Sequence, residues 1–271
     1  MDLNDLLVKH AFLSIKKVDI HYRDEMKVVK RILNYYGMSY IKQGSALVRM
    51  HGREYVTKPG VVTIFPPGIP HDHIIISEEP AIFMWWYFEF KIANAIDALS
   101  IFQLPVMFEI TNTIRFENAF KQYVELIKRP LDLPNIIFSQ AKSLEVLAFL
   151  FEAAFKNMTN NFNPEVPECF LRILNDIVEA PEHGCKLYDL SAKYNLNSTY
   201  ITNRFKKFFG MTPIQLQHKL IIDKAKTFLK NSSMPISELA DILGFKDFPT
   251  FTRLFTLSEG ISPLAYKQKK S

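Results

Sequence analysis

The chain has 271 residues, 48% of them hydrophobic, with two cysteines and a formal charge of +5 from 33 Lys and Arg against 28 Asp and Glu. That length suffices for two independent cores, and the apolar runs are too short to span a bilayer. Asp2 and Asp5 fit no signal-peptide pattern, and Cys169 and Cys185 have no paired neighbours to suggest a zinc site or a disulfide framework, so a cytoplasmic protein with reduced thiols is expected.

From about residue 28 to 90, short segments rich in Val, Ile, Tyr, Phe and Trp alternate with Gly and Pro: 31–36, 45–50, 54–57, 61–65, 73–76 and 82–90. His51-Gly52, Pro59-Gly60 and Pro66-Pro67-Gly68 mark the turns, and so many short strands predict a small barrel or sandwich. In the last of them, strand alternation puts Trp85, Tyr87 and Glu89 on one face and Trp86, Phe88 and Phe90 on the other. An aromatic face with a few polar tips suits a carbohydrate, whose C–H faces pack on rings; plain barrel core is the competing reading for both tryptophans.

Two helical stretches follow, at about 115–129 and 135–156. In the second, Ile137, Ala141, Leu144, Ala148, Phe151 and Phe155 recur in alternating steps of four and three, the spacing of a coiled-coil seam. Such a seam either pairs with the same helix of a second subunit or rests on the strands. A polar run rich in Asn and Pro, 157–167, reads as a linker, and a helix over 169–179 opens the second half.

The C-terminal part is written twice. Arg204-Phe205-Lys206-Lys207-Phe208-Phe209-Gly210-Met211-Thr212-Pro213 returns as Leu254-Phe255-Thr256-Leu257-Ser258-Glu259-Gly260-Ile261-Ser262-Pro263, and Leu187-x-x-Leu190-Ser191 returns as Ile236-x-x-Leu239-Ala240. Each copy reads as two short helices around a turn at Asn195 or Gly244, residues that tolerate a left-handed backbone. The second helix of each copy stops at Gly210 or Gly260, and the next begins with a hydroxyl and a proline, a capped start. These are two helix-turn-helix units joined by a helix at 214–230, long enough to hold two recognition helices near the ~34 Å between successive major-groove turns. From Cys185 onward there are fourteen Lys and Arg against six Asp and Glu, whereas residues 1–160 carry eighteen against seventeen, so the basic excess sits on the duplicated part and points to DNA.

Helical phase turns Ile201, Phe205 and Phe208 inward in the first recognition helix and Thr199, Thr202, Asn203 and Lys206 outward. In the second, Phe251 and Phe255 face inward, Thr250 and Arg253 outward. Arg253 is the candidate base reader, because a guanidinium can donate two bonds to guanine. Lys206, Lys207, Lys246 and the tail lysines Lys267, Lys269 and Lys270 are candidate phosphate contacts.

Residues from about 183 to 267 resemble the DNA-binding domain of the AraC/XylS family of bacterial transcription regulators. Leu187, Leu190, Phe205, Gly210, Pro213, Ala225, Leu229, Ile236, Leu239-Ala240, Gly244-Phe245, Phe251, Arg253, Phe255, Gly260 and Ser262-Pro263-x-x-Tyr266 carry the likeness. Asn195 for the commoner glycine, Ser191 for alanine, and Pro249 near the start of the second recognition helix depart from it. Gly60-Val-Val-Thr-Ile-Phe-Pro66-Pro67-Gly68-Ile-Pro-His71 resembles the second motif of the cupin barrel; the first is missing, with only His51 in its region, too few ligands for a metal site of the usual count. Likeness to sugar-responsive members of the family implies that Lys42, His73, Trp85 and Tyr87 line an effector pocket, and that the seam helix dimerises.

The expected architecture is therefore α+β and multidomain. It comprises a cupin-like β-barrel with trailing helices for effector binding and dimerisation (1–156), a linker (157–167), and an all-α domain of two helix-turn-helix units joined by a long helix (168–271). The expected function is a transcription regulator responding to a small molecule, a carbohydrate by this reading, with double-stranded DNA, a second copy of the chain and RNA polymerase as candidate partners. No metal or other cofactor is expected. The rivals are a metal-dependent cupin enzyme fused to a DNA-binding tail, and the DNA-repair proteins that share the helical domain but carry a zinc-bound cysteine cluster.

Overall fold

A computed structural model describes residues 3–102, 104–156, 166–183 and 186–269; residues 157–165 of the expected linker, Cys185 and Lys270 lie outside the described residues. The described residues form two compact units, one within 13–90 and 102–163, the other within 1–12, 91–101 and 164–271. The α+β architecture expected from the sequence is present.

Among the described residues, helix α1 (Leu3–His10) is followed by ten strands: β1 (Ala11–Arg23), β2 (Lys27–Arg31), β3 (Tyr36–Gln43), β4 (Ala46–Met50), β5 (Arg53–Thr57), β6 (Val61–Phe65), β7 (His71–Ile75), β8 (Ala81–Ile92), β9 (Ile96–Asp97) and β10 (Met107–Glu109). Helix α2 (Ala98–Phe102) sits between the last two. One sheet has the order β1-β8-β3-β6-β10, with β9 paired to β8; the other has the order β2-β7-β4-β5. The long strand β1 was not expected, because Lys16 and Lys17 interrupt its apolar alternation, and the single strand expected over 31–36 divides between β2 and β3. His51 and Gly52 both take positive φ, as a two-residue hairpin between β4 and β5 requires.

Strand β8 is central, and its two faces do different jobs. Trp86 and Phe88 are fully buried and stack with centroids 4.4 Å apart, while Phe90 meets Phe151 edge-on at 6.0 Å. Phe151 belongs to α4 (Leu133–Lys156), which packs beside α3 (Thr113–Leu126) through Phe116 and Phe149. Trp85 and Tyr87 project to the opposite side, with rings 4.6 Å apart.

The helical unit contains α5 (Glu168–Glu179), a short 3-10 turn (Pro181–His183), α6 (Leu187–Tyr194), α7 (Ser198–Phe209), α8 (Pro213–Asn231), α9 (Ile236–Ile242), α10 (Phe248–Glu259) and α11 (Pro263–Gln268). Helices α6 and α7 form the first helix-turn-helix around Asn195, left-handed at φ 51; α9 and α10 form the second around Gly244, φ 77. Only glycine fits at 244, for two reasons. The left-handed backbone disfavours a side chain, and a Cβ there would stand 2.0 Å from the carbonyl oxygen of Glu182. Helix α8 starts with a capping box: the Thr212 side chain accepts from the Gln215 N–H at 3.2 Å, and the Gln215 side chain accepts from the Thr212 N–H at 2.9 Å. Ile221, Ile222, Ala225 and Leu229 of α8 form one core with Leu239, Ala240, Leu243, Phe251 and Phe255 of the second unit. The inward side of α7 is Ile201, Phe205 and Phe209; Phe208, expected inward, is half-buried and leans on Phe170 of α5 at 5.1 Å. The reason is that Phe208 and Phe209 both lie at helical spacing from Phe205, and Phe209, four residues on, meets Phe205 at 4.5 Å while Phe208 is taken up by Phe170.

Candidate functional site

The face of β8 that carries Trp85 and Tyr87 looks into a cavity of about 430 Å³, walled by β1, β2, β3, β6, β7 and β8. That volume lies in the ~300–1,000 Å³ range of small-molecule sites. Three of the four expected effector residues, His73, Trp85 and Tyr87, line it. Ladder register assembles them: Trp85 stands opposite Ser39 across the β3–β8 ladder, and His73 opposite both Val48 and Val28 within the second sheet.

Lys42 is elsewhere. Its Nζ donates to Glu117 of α3 at 2.6 Å, and Tyr40 donates to the same carboxylate at 2.8 Å. The bond to Glu117 holds the Lys42 ammonium in its charged form, with its pKa raised. Lys42 is thus part of an ion pair between sheet and helix and not of the cavity wall.

The wall is more basic than the sequence suggested. Lys17, His21 and Arg23 of β1, Arg31 of β2 and His71 of β7 line it, with Glu25 the one carboxylate among its lining residues. None of these five was expected there. His71 had a signal, as the histidine closing the Pro-Pro-Gly phrase, while the other four lie on the strand not foreseen or at a strand end. Arg31 donates to the Tyr87 hydroxyl and lies over the Tyr87 ring at 5.0 Å; Lys17 Nζ lies over the Trp85 ring at 5.3 Å. His21 packs on Trp85 at 5.0 Å and on Phe83 at 5.4 Å.

Three polar atoms of lining residues are buried without a hydrogen-bond partner: Ser39 Oγ, His73 Nε2 and Trp85 Nε1. His73 is 8% exposed and Trp85 6%. An unpartnered polar group costs about 1–3 kcal/mol, so these three atoms, each closed off from contact with a water-sized molecule, leave the wall less stable than a fully bonded one. Burial pushes the His73 pKa down to about 4, with His71 and Arg31 adding in the same direction, and the pKa values of His71 and His21 are lowered mainly by burial too. Among the described residues no three His, Cys, Asp or Glu side chains cluster as a metal site would require.

In the helical unit the Asn197 side chain caps α7 by accepting from the Thr199 and Tyr200 N–H groups, and Asp247 caps α10 by accepting from the Thr250 N–H at 2.8 Å. Thr199, Asn203, Lys206 and Lys207 on α7, and Thr250 and Arg253 on α10, are exposed, as is Lys246 just before α10. Thr202 is half-buried, and its hydroxyl donates to the Ser198 carbonyl at 2.9 Å. Other cations are committed inside the unit: Lys193 to Asp176, Lys224 to Glu182, Lys226 to Asp223 and Glu259, and Lys267 to the Met234 carbonyl. Lys206, Lys207, Lys246 and Arg253 have no such ion pair among the described residues.

A two-sheet domain enclosing a cavity, followed by paired helix-turn-helix units, defines a DNA-binding transcription regulator with a ligand-binding domain. The chain belongs to the AraC family: the AraC-like ligand binding domain matches residues 22–147 and a helix-turn-helix domain matches 190–269. An uncharacterized transcriptional regulator of Bacillus subtilis, YisR, is 21% identical over 89% of this chain and 88% of its own length. The raffinose operon transcriptional regulatory protein RafR of Pediococcus pentosaceus is 24% identical, covering 86% and 84%. The arabinose operon regulatory protein of Escherichia coli K12 is 22% identical, covering 83% and 77%. No helix among the described residues is long and apolar enough to cross a membrane.

The depressed His73 pKa gives the ligand-binding unit an acid sensitivity of definite sign. In the unfolded chain His73 takes up its proton near pH 6.5, in the fold only near 4, so between those values unfolding binds a proton and stability falls as pH falls. His73→Phe is expected to lower the proton uptake on unfolding by up to about one, a tenfold change in the folding constant per pH unit, with His71 and His21 carrying the remainder. Unfolding midpoints in urea measured from pH 7 to 5 check this; parallel curves for the two proteins would refute it.

Proposed function

We propose that this chain is a cytoplasmic, sequence-specific transcription regulator whose DNA affinity is set by a carbohydrate bound in the cavity of residues 13–90. The observation that carries this reading is the pairing, in one chain, of a cavity with unpartnered buried polar atoms and two recognition helices whose outward cations are free of ion pairs. His73, Trp85 and Tyr87 are assigned to the effector, the aromatic pair as a stacking surface and His73 as a hydrogen-bonding tip. The names of two relatives, from raffinose and arabinose operons, support a sugar. The protein acts by binding and not by catalysis, with residues 1–156 for effector and dimer, 157–167 as linker and 168–271 for DNA. A ligand with different affinity for two arrangements of the chain shifts their populations and so the DNA sites that the dimer engages.

Arg253 is the proposed base reader, with Thr199, Thr202, Asn203 and Thr250 sharing the groove face and Lys206, Lys207 and Lys246 meeting phosphates. Dimerisation is assigned to α4, where Ile137, Ala141, Leu144 and Ala148 are exposed along one stripe, with Ile137 58% and Leu144 45% accessible. Phe151 ends the stripe half-buried among Phe90, Phe102 and Phe155, so it also anchors the helix within its own unit. RNA polymerase is the proposed protein partner at a promoter.

The direct test is a thermal-shift and DNA-occupancy series of the full chain against a panel of sugars: a sugar that binds only the native state raises the unfolding temperature and changes promoter binding. A panel that moves neither quantity counts against the carbohydrate. Arg253→Ala is expected to cost about 1–3 kcal/mol on the specific site and to relax discrimination at one base pair, while Lys206→Ala weakens all sequences alike. A uniform loss for Arg253→Ala, read in competition gel shifts, would make it a phosphate contact. Leu144→Glu places a charge in the seam and should give monomers in sedimentation with the strand unit still folded; an unchanged dimer would move the interface off α4.

A further inference from the structure

The charge of the cavity wall identifies a chemical feature of the effector. Three permanent cations, Lys17, Arg23 and Arg31, line the cavity against a single carboxylate, Glu25. Of the nearby acids, Asp19 stands 3.8 Å from His21 of the wall and also accepts from the Ile20 N–H, and two others are committed elsewhere. Glu89 pairs with Lys16 at 2.7 Å, and Asp72 accepts from the Lys30 N–H at 2.7 Å and lies 3.8 Å from Arg49. Neither Arg31 nor Lys17 has a carboxylate partner among the described residues; each is held over an aromatic ring, Arg31 on Tyr87 and Lys17 on Trp85. The two rings are neighbours at 4.6 Å, so the cations cover part of the aromatic surface assigned to the sugar and an anion drawn to them would lie beside it.

A half-buried guanidinium that is tied to a neutral phenol keeps donors in reserve, because Arg carries five N–H groups in a planar fork. The wall therefore carries three cations against one carboxylate, a charge excess that complements an anion and that a neutral polyol leaves unanswered. We infer that the effector is an anionic carbohydrate, a sugar bearing a carboxylate or a phosphate, with the anion on Arg31 and the ring on Trp85 and Tyr87. This rests on the carbohydrate reading above and narrows it to acidic members.

The test uses the full chain and matched probes: glucose, glucuronate and glucose 6-phosphate, the corresponding galactose series, and benzoate and inorganic phosphate as anions without a sugar. Binding is read by tryptophan fluorescence and by thermal shift at two salt concentrations. At least one acidic sugar should bind about tenfold or more tightly than its neutral parent, the magnitude of a charge-assisted hydrogen bond, and weaken as salt rises. Which arm responds separates carboxylate from phosphate. Arg31→Gln should abolish that preference and Arg31→Lys retain part of it, both in protein that still unfolds in one cooperative step and still binds promoter DNA. A neutral sugar binding as tightly as its acid would overturn the anion and leave the carbohydrate standing. Benzoate or phosphate binding as well as the acidic sugars would keep the anion and overturn the carbohydrate, and no binding by any probe would overturn both.

Discussion

The helical half depends on one rod. Helix α8, nineteen residues and so about 28 Å long, buries residues on more than one side: Ile221, Ile222, Ala225 and Leu229 enter the core of the second helix-turn-helix, while Gln217 donates to the Pro181 carbonyl at 2.8 Å on the side of the 3-10 turn. Its start is fixed by a capping box and its flank by the Lys224–Glu182 ion pair. Glu182 also presses its carbonyl against Gly244, so the turn of the second unit is seated on the segment that leads into the first. A rod locked in this way makes the separation of α7 and α10 a property of the fold, as the proposed reading of two turns of one duplex face requires.

The strand unit works by the opposite device, a place left incompletely filled. Interiors are close-packed, and a wall with buried, unpartnered Ser39, His73 and Trp85 atoms is less stable than one in which they are bonded. A molecule whose binding drew those atoms into hydrogen bonds would stabilise one arrangement of the wall over another, the differential that the proposed population shift needs. The other face of β8, where Trp86 and Phe88 stack and Phe90 meets Phe151, is ordinary core.

The sequence made the duplicated half legible almost residue by residue, because helical phase and capping are local: Asn197, Thr212, Asp247 and Ser262 all cap the helices that follow them. Phe208 and Phe209 were interchanged because tertiary packing against Phe170 decides between adjacent aromatics at a helix end, which no local period records. In the strand half the alternation of β8 placed Trp85 and Tyr87 on one face with no further information. Lys42 could not be placed this way, since its partner Glu117 lies seventy-five residues on. Arg31, Lys17 and His21 escaped notice for the same reason in reverse: a basic residue at an irregular strand looks like solvent-facing charge until the sheet brings an aromatic ring beneath it.

Positive charge serves two ends in this chain, and burial separates them. On α7 and α10 the unpaired cations are exposed, so their attraction to a polyanion reaches only about 8 Å at physiological ionic strength and depends on how many act together. Half-buried Arg31 sits where water is partly excluded, so a single anionic group beside it would be attracted with less screening and with the directionality of its fork. The lysines bound to Asp176, Glu182, Asp223 and Glu259 belong to neither class: they hold the helical unit together and contribute little long-range field. The net charge of the chain is therefore a sum over three unlike uses, and only the pairing state and burial of each residue tell which use it serves.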